Sequence, residues 1–359
     1  MSYRYLGNKT RIADWITEIV AGSLPTGSVV GDLMCGTAAM SAAFAGAGYR
    51  VIAADVQKFA VLHAKARLLS GTPERFADFG LDYAGAIAAL NDLPATDGFF
   101  FREYSDGGRP ANGVRPRKYF TAANAGRIDA MRGAIRDWRR QGLDGLAADL
   151  LLHDLILATN RVASIAGTYG YYRAGFSTAS RASILLTPTV ISPPGNGHRI
   201  LQGKAEDTVR QMDLDAIYLD PPYTKRQYGG NYHIIETLAQ EDEPEAVGEG
   251  GLRDWSAQAS DFCYRRRTEA AFRAILDNCR ARWLFVSYSE DAHLSDIELT
   301  ALFECYGTVE RYDRAHGRFR SNERVVRQGS VREYLYVVEM NDACSVESRR
   351  SVVEAADAH

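Results

Sequence analysis

Asp220-Pro221-Pro222-Tyr223 stands directly after the apolar run Ala216-Ile217-Tyr218-Leu219. Successive prolines remove their backbone N–H donors and stiffen the loop. What remains is the carboxylate of Asp220 and the carbonyl of Pro221, closely spaced acceptors beside the ring of Tyr223. Such a trio suits an exocyclic amino group on a planar base. A Pro-rich turn closing a strand is the plainer alternative for the tetrapeptide taken alone. Two further acids end apolar runs: Asp32 after Val29-Val30-Gly31, and Asp55 after Val51-Ile52-Ala53-Ala54. Asp55 follows Asp32 by about twenty residues, the spacing at which an acid accepts hydrogen bonds from ribose hydroxyls. A helix N-cap is its plainer role. The turn from Asp32 to Ala39 holds one glycine, Gly36, and is not Gly-x-Gly-x-x-Gly, which disfavours dinucleotide binding.

These groups need elements to hold them. Val29 to Leu33 and Arg50 to Asp55 read as buried strands, and Ala38 to Ala47 and Lys58 to Leu69 as helices. That alternation predicts βαβ units and a parallel sheet, whose ligands bind at the carboxyl ends of the strands. The pattern lapses between about Thr72 and Pro194. Gly-rich turns there surround an amphipathic helix in which Ile128, Met131, Ile135 and Trp138 share a face. Arg127, Arg132, Arg136 and Arg139 are expected elsewhere on its surface. A more apolar helix, Ala147 to Ala158, follows, then the aromatic run Thr168-Tyr169-Gly170-Tyr171-Tyr172 and a loop from Thr187 to Gly195. Sheet signals return at Ala216 to Asp220, Trp283 to Tyr288 and Tyr334 to Val338, with a helix at Phe272 to Cys279. A loose polar tail is expected after Met340.

With 359 residues, 46% hydrophobic and 24% charged, the chain is of ordinary globular composition, which excludes a disordered or fibrous protein. Its length fits one large domain with an insertion, or two domains. The net charge of −3 hides strong local fields. From Phe99 to Gly142 there are ten Lys/Arg against four Asp/Glu, and from Arg311 to Arg327 six Arg against two acids. From Glu241 to Glu249 there are five acids and no base. Such fields, more than the net charge, decide where a polyanion sits. The five cysteines (Cys35, Cys263, Cys279, Cys305, Cys344) are scattered, with no Cys-x-x-Cys, so neither a disulfide framework nor a zinc site is expected, and a reducing cytoplasm fits best. No metal cluster is visible. The N-terminus does not resemble a signal peptide, and the apolar stretch Leu150 to Leu157, interrupted by His153 and Asp154, is too short to span a bilayer.

Six segments, in order, resemble the amino-methylating DNA methyltransferases that use S-adenosylmethionine. They are Arg4-Tyr5-Leu6-Gly7-Asn8-Lys9; Asp32-Leu33-Met34-Cys35-Gly36-Thr37-Ala38; Asp55; Asp220-Pro221-Pro222-Tyr223 with Arg226-Gln227-Tyr228 and Asn231-Tyr232-His233; Phe285-Val286-Ser287-Tyr288-Ser289; and Glu333-Tyr334-Leu335-Tyr336-Val337. The match extends over about residues 3–340. It is narrowest to the adenine-N6 group with the target-recognition insert between cofactor and catalytic motifs. Cys35 and Ala38 depart from the small residue and glycine usual there, and Lys204 stands where an acidic or neutral polar residue commonly approaches the cofactor's adenine.

The resemblance implies a Rossmann-like α/β methyltransferase domain with a largely parallel sheet and an inserted, mostly helical module. Residues 1–72 would form the cofactor-binding part, 73–189 the target-recognition insert, 190–340 the catalytic part and 341–359 the tail. Tyr5, Lys9, Asp32, Gly36, Asp55 and Asp220 would hold S-adenosylmethionine. Asp220, Pro221, Pro222 and Tyr223 would form the catalytic loop, receiving an adenine flipped out of double-stranded DNA. Cys35 lies in the cofactor loop and is not expected to be a nucleophile. Arg115, Arg117 and Lys118, Lys225 and Arg226, and Arg318 and Arg320 are the DNA-binding candidates, with solvated surface charge as the alternative for each. Tyr169 to Tyr172 could wedge DNA or pack in the core, and His233 reads as a locally hydrogen-bonded helix residue. The expected setting is prokaryotic restriction–modification or DNA marking, as a monomer or homodimer, with a separate endonuclease as a possible partner. Rival readings are adenine in RNA, cytosine N4, a protein glutamine, or a non-catalytic DNA-binding regulator. Aspartate at 220, in place of serine or asparagine, favours adenine.

Overall fold

The computed structural model describes residues 4–69, 73–113, 115–191, 197–317 and 330–341. Seven strands make one sheet: β1 (Val29–Asp32), β2 (Arg50–Asp55), β3 (Arg199–Gln202), β4 (Ala216–Leu219), β5 (Trp283–Ser289), β6 (Gly307–Gly317) and β7 (Ser330–Met340). Their order is β3-β2-β1-β4-β5-β7-β6. β1 to β5 are parallel, while β7 runs antiparallel to β5 and pairs with β6 as a hairpin. This is the parallel sheet that the strand–helix alternation predicts, in the Rossmann-like arrangement that the resemblance implies. β1 and β4 read as apolar runs because a parallel strand is covered on both faces, and β4 is buried along its length. At Gly31 of β1 a side chain would meet Leu214 at 2.6 Å, so that position needs its missing Cβ.

The chain winds outward from β1 to β2 and β3, then returns to the other side of β1 as β4. That reversal places a topological switch point between β1 and β4, where open α/β sheets bind ligands. Asp32 closes β1 and Asp220 follows β4.

Two compact units share the residues. One comprises Met1–Gly7, Gln57–Pro194 and Tyr228–Ala259; the other comprises Asn8–Val56, Gly195–Gln227 and Ser260–His359. The first is helical and takes in more than the segment 73–189. The helix Lys58–Leu68 is buried on nearly all sides, with Phe59, Leu62 and Ala66 in the core of this unit. Glu236, on the helix His233–Gln240, accepts the amides that open the helix Lys58–Leu68, from Lys58 at 3.0 Å and Phe59 at 3.1 Å. A buried carboxylate capping a helix start satisfies donors that would otherwise be orphaned, and it explains why both segments belong to this unit.

On the helix Ala122–Arg140, Ile128, Met131 and Ile135 are fully buried, and Trp138 packs on Phe79 with centroids 5.8 Å apart. Arg132 departs from expectation. It is buried, donates to the Asp242 carbonyl at 2.8 Å and lies over the Phe100 ring. An arginine can lie inside when its stem packs and its head is paired. The apolar helix runs Gly145–Val162, beyond both expected ends; its start is fixed by Asp144, which caps it by accepting from Leu146 and Ala147. β6 has no counterpart among the expected strands, since it is an edge whose exposed residues Glu310 to Arg314 are mostly charged. No described helix is long and apolar enough to cross a membrane. The expected tail beyond Asn341 lies outside the described residues.

Candidate active site

In the second unit, a single turn at Lys9–Arg11, capped by the side chain of Asn8, carries Lys9 into the interior. Lys9 Nζ is 3.1 Å from Asp220 Oδ1 and also pairs with Glu333. Lys9 and Glu333 are almost wholly buried, and Asp220 retains 17% exposure. Glu333 arrives on β7, paired in register with Ser289 of β5. Burial works against the ammonium, but the two carboxylates outweigh it and hold the Lys9 pKa well above its ordinary value. Burial pushes the Asp220 carboxyl up to about 7, with Lys9 opposing and Glu333 adding to the rise. Asp220 can therefore change charge near neutral pH while Lys9 cannot.

The loop that follows is pinned. Pro221 is buried, and Tyr223 stands edge-on to Tyr288 at 6.1 Å with Lys9 Nζ 5.6 Å from its ring centre. The Tyr223 carbonyl accepts from the His293 amide at 3.1 Å. Asp220, Pro221, Pro222 and Tyr223 thus present a carboxylate, a carbonyl and a ring from one rigid segment.

Across the switch point, Ser41 donates to Asp32 Oδ2 at 2.5 Å, whereas Asp32 Oδ1 is buried without a hydrogen-bond partner among the described residues. Burial raises the Asp32 pKa to about 7; the Ser41 hydrogen bond opposes this and the charges of Asp220 and Asp55 add to it. Gly36, at φ +52°, donates its amide to Asp55 Oδ2 at 2.9 Å. Ala38, at φ +55°, starts the helix Ala39–Gly46 without a side-chain cap. The Cys35 thiol is buried, and burial with Asp55 and Asp32 nearby holds it well above its ordinary pKa, so it is no nucleophile. A buried carboxylate oxygen with no donor, beside a second carboxylate at the next strand's end, is a fitting place for a ligand bearing a cation and hydroxyls.

The remaining candidates fall in different places. Tyr5 lies in the first unit, stacked on Tyr232 at 4.8 Å and edge-on to Phe59. Arg117 requires a correction. Its side chain is 1% exposed, donates to Glu103 Oε2 at 2.8 Å and to the carbonyls of Ala246 and Gly248, and cannot reach a phosphate. Arg115 is exposed and paired with Glu249, and Lys118 is exposed. Much of the positive excess between Phe99 and Gly142 is answered within the same unit by the acidic run. Arg132 pairs with Glu243, Arg139 with Glu241 and Arg115 with Glu249. In the second unit, Lys225 and Arg226 are exposed and make no ion pair among the described residues. Arg318 and Arg320 lie outside those residues. In the aromatic run, Tyr169 is fully buried and Tyr171 is exposed. His233 is buried, its Nε2 3.0 Å from the Tyr169 carbonyl, and burial lowers its pKa to about 3, so it stays neutral.

Sequence reading missed Glu333 as a member of this cluster. It lies 324 positions from Lys9 and stands out in the sequence as the first residue of the family-like segment Glu333 to Val337, where no role falls to it. A carboxylate opening a run of otherwise buried type is the signal that could have found it.

Comparison with known proteins follows the same pattern. The model of the D12 class N6 adenine-specific DNA methyltransferase family matches residues 5–292. The chain is 28% identical to the Type II methyltransferase M.NlaIII of Neisseria lactamica, over 93% of this chain and 98% of that protein. It is 28% identical to M.CviAII of Paramecium bursaria Chlorella virus 1, over 93% and 97% respectively. To M.FokI of Planomicrobium okeanokoites it is 27% identical, over 97% of this chain but only 55% of that longer relative.

Proposed function

The chain belongs to the D12 class of N6 adenine-specific DNA methyltransferases, and on that premise we propose that it methylates N6 of an adenine flipped out of a short double-stranded DNA sequence, using S-adenosylmethionine. The observation that carries this reading is the Asp220 carboxylate at the end of β4, held by buried Lys9 and followed by the Pro221 carbonyl and the Tyr223 ring.

The chemistry asks little else of the protein. The lone pair of an adenine N6 is delocalised into the ring, so the amino group is a poor nucleophile. Hydrogen bonds from it to Asp220 and to the Pro221 carbonyl favour a more tetrahedral nitrogen. The carboxylate, with a pKa near neutrality, can also take the proton that the nitrogen gives up. Tyr223 supplies a face for the unstacked base. When bound, S-adenosylmethionine supplies an electrophilic methyl group on a cationic sulfur. Asp32 would meet its positive charge and Asp55 its ribose hydroxyls. Lys9 acts through Asp220, fixing its orientation. No covalent link to the enzyme is needed, and much of the catalysis is positioning.

On the same reading, the segment 73–189 serves target recognition, with Arg115 and Lys118 available to DNA. Lys225 and Arg226 contact the backbone near the flipped nucleotide. The enzyme acts as a monomer or homodimer in a prokaryotic cytoplasm, paired with a separate endonuclease or working alone.

The test is to incubate the purified protein with S-adenosylmethionine and unmethylated mixed-sequence DNA, then digest to nucleosides for mass spectrometry. N6-methyladenine supports the reading. N4-methylcytosine, or methyl transfer to RNA alone, replaces it with a rival substrate on the same loop.

A further inference from the structure

We propose that Lys225, Arg226 and the first turn of the helix Arg265–Leu276 form one basic face that grips the substrate duplex by its phosphates beside the reacting base. The proposal rests on the reading of the chain as a DNA methyltransferase, and it adds Arg265, Arg266 and Arg267, which no motif singles out.

Topology places this turn. The helix Arg265–Leu276 leads into β5, which is parallel to β4. A helix returning the chain to the next parallel strand begins at the sheet's carboxyl edge. That is the edge where Asp32, Asp55 and Asp220 lie. Hydrogen bonds then tie the turn to the catalytic loop. Gln227 and Ser260 exchange two bonds of 2.9 Å, and the Cys263 thiol lies 3.5 Å from the Arg226 carbonyl. His293 joins both segments, donating its amide to the Tyr223 carbonyl while its ring Nε2 lies 3.1 Å from the Cys263 carbonyl. A phosphate held here is held in fixed relation to Asp220.

Local energetics argue that these arginines are not there for the fold. Three cations in succession open the helix, with no acid in its first turn and no side-chain cap. The positive end of a helix disfavours them, and a rule broken without structural gain marks function. All three are exposed. Arg265 pairs with Glu298 and Arg267 with Asp261, both at the surface, where such pairs are screened and exchange readily. Arg266, like Lys225 and Arg226, makes no ion pair among the described residues. Tyr264 is also exposed, with the Arg267 guanidinium 5.0 Å from its ring centre, so an aromatic ring lies among the exposed cations.

Duplex affinity measured by fluorescence anisotropy between about 50 and 300 mM KCl tests this. The probe is a labelled, unmethylated mixed-sequence duplex. Arg266→Glu should weaken binding about tenfold at low salt and flatten the slope of log affinity against log salt by about one. S-adenosylmethionine affinity and thermal stability should be unchanged, and Arg266→Lys should keep the wild-type slope. If Arg266→Glu binds with the wild-type affinity and slope, the proposal is overturned while the methyltransferase reading stands. If the wild type does not bind duplex DNA at all, both fail together.

Discussion

Lys9 Nζ stands 3.1 Å from Asp220 Oδ1 and holds Glu333 with the same ammonium. One buried cation from the start of the chain thus serves two carboxylates that follow it on separate strands of the sheet. Because the cation remains charged, the negative charge of this group is free to vary only at the carboxylates. Asp220, the less buried of the two, is the one placed to meet a substrate.

Removing the cation should be costly. Lys9→Met leaves two carboxylates buried without their partner, and breaking a buried pair in this way costs about 3–5 kcal/mol. Urea denaturation at pH 8 should show that loss. At pH 5.5, where Asp220 can protonate, it should be smaller. An equal loss at both pH values would mean that Lys9 stabilises by packing.

Methyl transfer should depend on the charge of Asp220. With its pKa raised to about 7, the carboxylate is lost as an acceptor and base when pH falls through neutrality. Single-turnover rates should drop by about tenfold per pH unit below that point. A profile flat from pH 5.5 to 8.5 would contradict the role given to Asp220.

Asp32 links stability to pH with a definite sign. Its folded pKa of about 7 lies above the ordinary 3.8, so folding favours the protonated form. The stability it permits is fully present below about 3.8 and is lost as pH rises to about 7. Asp32→Asn should therefore match the wild type near pH 4 and exceed it at pH 8, by up to about 4 kcal/mol. S-adenosylmethionine binding by the variant, followed calorimetrically, should weaken because the acceptor for a cation is gone. Unchanged affinity would remove Asp32 from the binding site.

Arg117 and Lys118, neighbours in sequence, should separate cleanly. Arg117→Ala takes the donor from buried Glu103 Oε2 and from the carbonyls of Ala246 and Gly248, while Arg102 still pairs with Glu103 Oε1, and should cost about 3 kcal/mol in denaturant. Lys118→Ala should leave stability within about 0.5 kcal/mol. Lys118→Ala should also lower the salt slope of duplex binding by about one. Reversal of these effects would return Arg117 to the DNA interface.

The strands were legible where both faces are covered, since β1, β2, β4 and β5 read as apolar runs, and the two prolines made the Asp220 loop stand out. β6 was not, because an exposed edge needs no apolar pattern. Burial of Arg117 and Arg132 was hidden because a charged residue looks like surface until its partners are known. Some of those partners sit in Glu241 to Glu249, more than a hundred positions later. The reach of Lys9 to Glu333 was hidden for the same reason. Periodicity reports which face is covered, and only the fold reports what covers it.

The central claim is that the Asp220 carboxylate engages the reacting amino group. The direct measurement is single-turnover methyl transfer to adenine by Asp220→Ala, with S-adenosylmethionine binding and circular dichroism recorded on the same sample. The predicted result is a native spectrum, retained cofactor binding and a rate reduced by at least about 10²–10³-fold, the usual effect of losing one hydrogen-bonding partner of a transition state. A folded variant that methylates adenine at the wild-type rate would contradict the account.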